Sequence, residues 1–337
     1  MVFDREEFKK RSKEGISTKK KARKKTGDYV SETKLRIAKT ELEESEIKRI
    51  TVRDIEDEID DSYIKGFIRG KIINSSIDEF VSWEAGLLVN TGIPSHGKSE
   101  FMDFLFAKLN TMYGWKVMYY SPENYPIPLH YQKIAKKLVG KKINMESPEY
   151  ESTKDYINEN FSWIYYERNT LEIILQTAKK YLIEDDIKIL AIDPYNMVDS
   201  SKLSDENEVN YTNNFLTLLS KFAKRHNILV ALTAHPTKIG KVKETRKHQT
   251  PTMYSISGSA HFYNIPEYGI VVHRQEDEDG NFLENTEVYI EKVRFGHLGK
   301  RGMSEYAYNS QNGRYSNLVN DTPMHDNSNW LEGLEEK

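Results

Sequence analysis

The stretch GLLVNTGIPSHGKSEF, residues 86–101, decides the fold of this 337-residue chain. An apolar run is followed by GIPSHGKS (92–99), which holds a glycine, four further residues and then Gly-Lys-Ser. Gly92 and Gly97 allow the backbone to curl so that successive N–H groups face inward, and a helix beginning at Lys98 would add its positive end. A strand, this loop and a helix in that order predict a loop that binds phosphate groups.

The loop assigns a role in nucleotide binding to each of its residues. Main-chain N–H groups would hold the phosphates, Lys98 would reach the β- and γ-phosphates, and the Ser99 hydroxyl would be a ligand of Mg²⁺. The predicted site for ATP or another nucleoside triphosphate comprises Gly92, Ile93, Pro94, Ser95, His96, Gly97, Lys98 and Ser99. The alternative is a glycine-rich turn that merely precedes a helix.

Apolar runs of strand length alternate with helical stretches on both sides of this loop. The runs are GLLVNTG (86–92), KVMYYSPE (116–123), FSWIYYE (161–167), IKILAID (187–193) and ILVALTAH (228–235). Such alternation is typical of a parallel, twisted sheet covered by helices. Beyond Tyr268 the sequence changes to short strands and turns, including an Asn-Gly hairpin signal. We therefore predict an α/β fold, mainly parallel, with antiparallel C-terminal strands.

Three polar side chains end strands of this predicted sheet. Asp193 would be the second holder of Mg²⁺, directly or through water. Glu123 would orient and deprotonate a water that attacks the γ-phosphate, since Glu100, although nearer in sequence, lies on the helix. His235 would sense the γ-phosphate. The alternatives are an exposed loop acid for Glu123 and a structural histidine for His235.

A basic loop follows His235. Between residues 236 and 250 one glutamate, Glu244, stands among the cations Lys238, Lys241, Lys243, Arg246, Lys247 and His248. Mobile cations suit a phosphate backbone, so we predict contact with nucleic acid, the alternative being an ordinary solvated loop. In the next segment Gly258 and Ser259 would let the protein backbone approach a polyanion closely.

Lys292 and Arg294 alternate along the strand YIEKVRF, far in sequence from the phosphate loop. Two cations on one face of an apolar strand require an anion. A γ-phosphate across a subunit boundary would supply it, with Arg294 as an arginine finger, but so would an intramolecular ion pair. The spacing by itself leaves both open.

Composition limits the remaining possibilities. The chain contains no cysteine, which excludes disulfides, thiol catalysis and cysteine-based zinc sites, and its net charge of −3 is no general signature of nucleic-acid binding. Without a signal peptide or an apolar run long enough to span a membrane, we expect a cytoplasmic protein of a bacterial cell or a phage-infected host. The predicted organisation is a basic flexible arm (1–50), an amphipathic linker helix (51–65), the main domain (66–318) and an acidic flexible tail (319–337).

Five motifs, in order, resemble those of the RecA-like ring helicases related to DnaB and Twinkle, and most closely the helicase half of phage primase-helicases. They are GIPSHGKSEFMD, YYSPEN, LAIDPYN, TAHPTK with YSISGSAHFYNIPEYGIVVHR, and KVRFGHLGK. The resemblance implies a RecA-like P-loop NTPase core and six subunits in a ring. It further implies that ATP is held between subunits, with Lys292 and Arg294 supplied by the neighbour, and that Arg274 contacts a DNA base.

The function expected on these grounds is that of a replicative DNA helicase. It would use ATP and Mg²⁺ to move along single-stranded DNA as a homo-hexamer, 5′ to 3′, and unwind duplex DNA. A separate primase and other replisome proteins would be its partners, without a membrane. The alternatives are a RecA-like recombinase or another ring ATPase that does not unwind DNA, or a nucleic-acid-binding regulator that only senses nucleotide.

Overall fold

The computed structural model describes residues 49, 51–65, 69–72, 75–165, 169–199, 208–237, 239–256 and 260–334. The predicted basic arm, apart from Arg49, and three predicted DNA-binding residues (Lys238, Gly258 and Ser259) therefore lie outside the described residues. The chain divides into two units, Met1–Phe67 and Ile68–Lys337.

The first unit contains the helix predicted over residues 51–65. A 3₁₀ turn, Val52–Ile55, leads into α1, Glu56–Lys65. Thr51 starts it with a capping box: its main-chain N–H and its hydroxyl both donate to the Asp54 carboxylate, at 2.7 and 2.8 Å. These bonds satisfy donors that a helix start leaves open, and they lower the pKa of Asp54. The role of this helix as a linker stays a prediction.

The second unit is built on one ten-stranded sheet, in the spatial order β10-β9-β8-β7-β6-β1-β5-β4-β2-β3. Its strands are β1 (Gly86–Thr91), β2 (Lys116–Tyr120), β3 (Phe161–Trp163), β4 (Ile187–Ile192), β5 (Leu229–Thr233), β6 (Tyr268–Glu276), β7 (Phe282–Val293), β8 (Gly302–Asn309), β9 (Arg314–Val319) and β10 (Thr322–Pro323). From β3 to β6 every pair is parallel, and from β6 to β10 every pair is antiparallel. The predicted α/β fold is confirmed.

Helices connect the parallel strands: α2 (Lys98–Tyr113), α3 (Ile127–Val139), α4 (Tyr150–Asn160), α5 (Leu171–Glu184), α6 (Glu208–Arg225) and α7 (His261–Asn264). The sheet separates two apolar cores because successive side chains of a strand point to opposite faces. On β1, Leu88 belongs to one core, whereas Leu87 and Val89 belong to the other. Burial on both faces explains why this strand is a continuous apolar run. No helix in the described part of the chain has the length and apolar character to cross a membrane.

Residues 319–334, predicted as a flexible acidic tail, are instead packed on the second unit. Arg314 is 1% exposed, its guanidinium carbon lies 3.7 Å from the centre of the Trp330 ring, and it forms an ion pair with Asp326 at 3.3 Å. The main-chain N–H of Trp330 donates to the carbonyl oxygen of Leu138 at 2.9 Å. A buried arginine requires such partners, and residues beyond the predicted boundary at 318 provide them.

Candidate functional site

The phosphate loop joins β1 to α2, and close contacts require its two glycines. Gly92 has a φ of 153°, and a Cβ there would lie 2.2 Å from the Val272 carbonyl oxygen on β6. Gly97 has a φ of 89°, and a Cβ there would lie 2.7 Å from the Tyr315 hydroxyl oxygen. Any other residue would force the loop away from the sheet.

Lys98, the first residue of α2, is 6% exposed. Its Nζ donates to the carbonyl oxygen of Ile93 at 3.1 Å. Burial lowers the pKa of Lys98, while Asp193 and Glu123 act in the opposite direction. The ammonium group and the two predicted site carboxylates, which end different strands, are therefore electrostatic neighbours.

Asp193 lies directly after β4 and is buried. Burial raises the pKa of its carboxyl group, while hydrogen bonds from Ser99 and Thr233 lower it. Asn124 Nδ2 also donates to its Oδ2, at 3.5 Å. A carboxylate beside a hydroxyl supplies the hard oxygen ligands that Mg²⁺ prefers, so Ser99 and Asp193 fit the cation that the sequence assigns to them.

Glu123 and His235, which the sequence treats separately, lie in direct contact. His235 Nε2 is 3.2 Å from Glu123 Oε1, and the two side chains are 26% and 41% exposed. Each follows a strand, β2 or β5, and both strands pair with β4 so that their carboxyl ends lie at the same edge of the sheet. The predicted base and the predicted phosphate sensor thus form one pair.

Lys292 and Arg294 lie at the opposite edge of the sheet. β6 runs parallel to β1, with Tyr268 beside Leu88, and the end of β7 lies beside the start of β6. From Leu88 to Gly92, where the phosphate loop begins, β1 rises about 13 Å at roughly 3.3 Å per residue. The two cations are therefore well separated from the phosphate loop of their own chain.

Main-chain carbonyl oxygens hold both cations. Lys292 Nζ donates to Asn264 O at 2.9 Å, and Arg294 Nη2 donates to the carbonyl oxygens of Asn264 and Ile265, each at 2.6 Å. Burial, helped by Arg294, lowers the pKa of Lys292 to about 8. The intramolecular ion pair that the sequence left open has Glu267 as its partner, but Arg294 Nε is 3.9 Å from that carboxylate and the arginine side chain is 37% exposed.

The described part of the basic loop is a compact hairpin. Lys241 pairs with His248, Val242 N–H donates to the Lys247 carbonyl oxygen at 3.0 Å, and Gln249 N–H donates to that of Gly240 at 2.9 Å. Lys241, Lys243 and Arg246 are exposed and Lys247 is half-buried. Four predicted DNA-binding cations therefore lie on one small surface.

Arg274, the predicted base contact, lies on β6 and is held by β7. Its Nε donates to the Leu283 carbonyl oxygen at 2.7 Å, and its guanidinium carbon lies 4.9 Å from the centre of the Phe282 ring. A base could reach this arginine at the half-exposed end of the two strands. Its role in DNA binding stays a prediction.

The sequence assigns no function to Glu100, yet this residue anchors the helix of the phosphate loop. Its carboxylate lies 2.5 Å from Lys137 Nζ and 3.1 Å from Lys133 Nζ, and the Lys137 side chain is fully buried. Burial alone would raise the pKa of Glu100, but the two lysines lower it to about 2. Two lysines four residues apart on α3 were the available signal, because that spacing places them on one helical face.

Replacing Glu100 with glutamine should lower the free energy of unfolding by about 3 kcal/mol at pH 7, since Lys137 would remain buried without its counter-ion. The folded pKa of about 2 lies below the ordinary 4.5. The stabilisation is therefore complete above pH 4.5 and is lost as the pH falls toward 2. Urea unfolding at pH 7 and pH 3 measures both effects, with exposed Glu159→Gln as the control. Equal stability of wild type and Glu100→Gln at pH 7 would contradict this ion-pair argument.

Known proteins that share this architecture are RecA-type ATPases. A helicase-type ATPase domain, solved on its own, superposes with a TM-score of 0.64 over 81% of this chain and 100% of that domain, at 15% identity. A DnaB-like replicative helicase, solved in a study of its interactions with primase, gives 0.60 over 93% of this chain and 78% of that chain, also at 15% identity. No family model matches the sequence. Fold and site together thus define a P-loop ATPase of the RecA type.

Sequence similarity narrows this class. The chain is 32% identical over 243 residues to the chloroplastic/mitochondrial Twinkle homolog protein of Arabidopsis thaliana, a match that covers 68% of this chain and 34% of that protein. The chain thus spans about a third of the length of this relative. It carries a DnaB/Twinkle-like helicase ATPase domain with the RecA fold.

Proposed function

We propose that this chain is an ATP-driven replicative DNA helicase that works as a ring of identical subunits, six by analogy with its relatives. One observation carries the proposal: Lys292 and Arg294 lie at the sheet edge opposite the phosphate loop of their own chain. A second copy could bring this pair to the first copy's γ-phosphate, and a head-to-tail contact of that kind generates a ring when its rotation closes.

Within one subunit, the residues at the carboxyl edge of the sheet divide the work on ATP. Main-chain N–H groups of the phosphate loop bind the phosphates, and Lys98 exchanges the Ile93 carbonyl for phosphate oxygens. Ser99 and Asp193 would hold Mg²⁺, which neutralises phosphate charge when bound. Glu123 accepts the proton of the attacking water, and His235, beside it, contacts the γ-phosphate. Arg294 of the neighbouring copy stabilises the charge of the transition state.

The DNA strand would lie on the basic loops of successive subunits. Exposed Lys241, Lys243 and Arg246 offer charge without a fixed sequence preference, as translocation on any DNA requires. Lys238, Gly258, Ser259 and Arg274 complete this proposed surface. The 5′ to 3′ polarity, the separate primase, other replisome partners and a cytoplasmic location are further parts of the proposal.

The test is ATP hydrolysis by the full chain with and without single-stranded DNA, beside a variant with glutamine at Lys241, Lys243, Arg246 and Lys247. DNA should stimulate the wild type, which should also unwind a forked duplex. The variant should bind DNA more weakly, and the slope of log Kd against log salt should decrease by up to about 3, because each phosphate contact on a single strand contributes about 0.7.

The control replaces four exposed helix-side lysines with glutamine, at Lys141, Lys142, Lys154 and Lys180. Hydrolysis by the wild type that ignores DNA would refute the helicase proposal and leave an ATPase with another substrate. A salt slope equal to that of the wild type in the loop variant would make the basic loop an ordinary solvated surface.

A further inference from the structure

His96 belongs to the phosphate loop, but its side chain packs against β6 and β7. It is 1% exposed, its ring stacks on that of His273 at 5.0 Å, and the Phe282 ring meets it edge-on at 5.1 Å. Its Nδ1 accepts a hydrogen bond from the main-chain N–H of Arg274 at 3.1 Å. The phosphate loop is thus attached to β6 by a side chain as well as by the contact at Gly92.

The Glu276 carboxylate, at the end of β6, lies between this histidine and the basic loop. Its side chain is 3% exposed, and its Oε1 is 3.6 Å from His96 Nε2. On the other side, the main-chain N–H of His248 donates to its Oε2 at 2.6 Å, and His248 Nδ1 lies 3.1 Å from both oxygens. One buried carboxylate therefore touches the phosphate loop and the basic loop at once.

The protonation states favour a hydrogen-bonded junction over a metal site. The candidate ligand atoms of His96, His248 and Glu276 lie within 4.8 Å of one another. His96 Nδ1, however, accepts the Arg274 N–H, so in the neutral ring Nε2 carries the proton and points it at the carboxylate. Burial lowers the pKa of His96 to about 4, which keeps the ring neutral. A ligating histidine instead needs a free lone pair on the ligating nitrogen and an acceptor on the other.

Glu276 is the acceptor that these donors need. Burial alone would raise the pKa of its carboxyl group, but the N–H and the ring of His248 lower it, with His96 contributing. The ionised group accepts from His96 on one side and from two groups of His248 on the other. Bonds to a buried carboxylate are stronger than neutral ones, so the three residues move as a unit.

Each end of this unit is connected to a part that a ligand would move. In the phosphate loop, the His96 N–H and Lys98 Nζ both donate to the Ile93 carbonyl oxygen, at 3.2 and 3.1 Å. Phosphate oxygens compete for both donors, so binding changes the position of His96. In the basic loop, the Arg246 N–H donates to the Glu278 carbonyl oxygen at 2.8 Å, which holds the hairpin on the β6–β7 turn.

We propose that Glu276 is the positioning residue that couples the phosphate loop to the basic loop, holding His96 of the one and His248 of the other. The inference rests on the proposed function, since it assigns a route by which bound nucleotide changes the grip on DNA. The coupling is reciprocal: nucleotide that favours one position of His96 favours one position of the basic loop, and DNA on that loop favours the same nucleotide state.

The experiment compares the Kd of the full chain for an oligo-dT strand with a non-hydrolysable ATP analogue and with ADP. We expect the wild type to differ by about fivefold or more between the two nucleotides. In Glu276→Gln the ratio should fall to nearly one, because the amide turns one acceptor oxygen into a donor that faces another N–H. His248→Ala should have the same effect, whereas His248→Asn, which keeps a donor near the Nδ1 position, should restore most of the ratio.

Exposed Glu278→Gln is the matched control, since its main-chain carbonyl, which holds Arg246, is unchanged. A merely structural Glu276 would weaken DNA binding equally with both nucleotides, and an unchanged ratio in Glu276→Gln and His248→Ala overturns the inference. Thermal stabilisation by Zn²⁺ that Glu276→Gln removes would also overturn it, in favour of a metal site. Absence of DNA binding by the wild type refutes the proposed function itself. Wild-type binding that ignores the nucleotide refutes only the coupling.

Discussion

Replacing Arg294 with alanine should lower the rate of ATP turnover by about 10³-fold or more while leaving nucleotide affinity nearly unchanged. The reason is the position of the guanidinium group at the amino end of β1, bonded to the Asn264 and Ile265 carbonyls. It does not contribute to the phosphate loop of its own chain, so its loss removes only stabilisation of the transition state by a neighbour. Steady-state hydrolysis and binding of a fluorescent nucleotide measure the two quantities.

A mixing experiment distinguishes a contribution in trans from one in cis. Lys98→Ala destroys the phosphate site but keeps Arg294, and Arg294→Ala does the reverse. Mixed rings contain interfaces with both residues intact, so combining two inactive variants should restore measurable hydrolysis. Arg301→Ala, which removes a nearby exposed arginine between β7 and β8, is the control. Retained hydrolysis in purified Arg294→Ala would refute the trans assignment.

Glu123→Gln should lower ATP turnover by about 10²- to 10⁴-fold, the range expected when a general base is lost. Glutamine keeps the size of the side chain and can keep a hydrogen bond to His235, which lies 3.2 Å from Glu123 Oε1. It cannot take a proton from water. Nucleotide binding should therefore persist, and the variant should hold ATP and DNA together without turnover, as rapid-quench hydrolysis and DNA binding in ATP would show.

Glu159→Gln, an exposed change on α4, serves as the control for this substitution. Turnover in Glu123→Gln within about threefold of the wild type, well short of the range for a lost base, would remove Glu123 from the chemistry. Asp193, which is buried beside Ser99, would not replace it as the base, because its oxygens belong to the proposed Mg²⁺ site.

The predicted elements were correct where local patterns are strong. The run 86–91 is apolar throughout because both faces of β1 are buried, and the glycines of 92–99 mark a turn that other residues cannot adopt. The tail at 319–334 was predicted wrongly because its charges suggested solvation. A single tryptophan, Trp330, covers the buried Arg314, and neither that pairing nor its depth can be read from composition.

The sequence by itself determined the phosphate loop and the polar residues that end the strands, because a contiguous motif and parallel strands bring such residues to one edge of the sheet. Only the tertiary structure decided that Glu123 touches His235, that Arg294 lies at the far edge, and that Glu276 joins His96 to His248. The first and last of these contacts depend on strand order and register, which bring together residues more than a hundred positions apart. No local pattern encodes such a separation, since it follows from how the sheet as a whole buries its two faces.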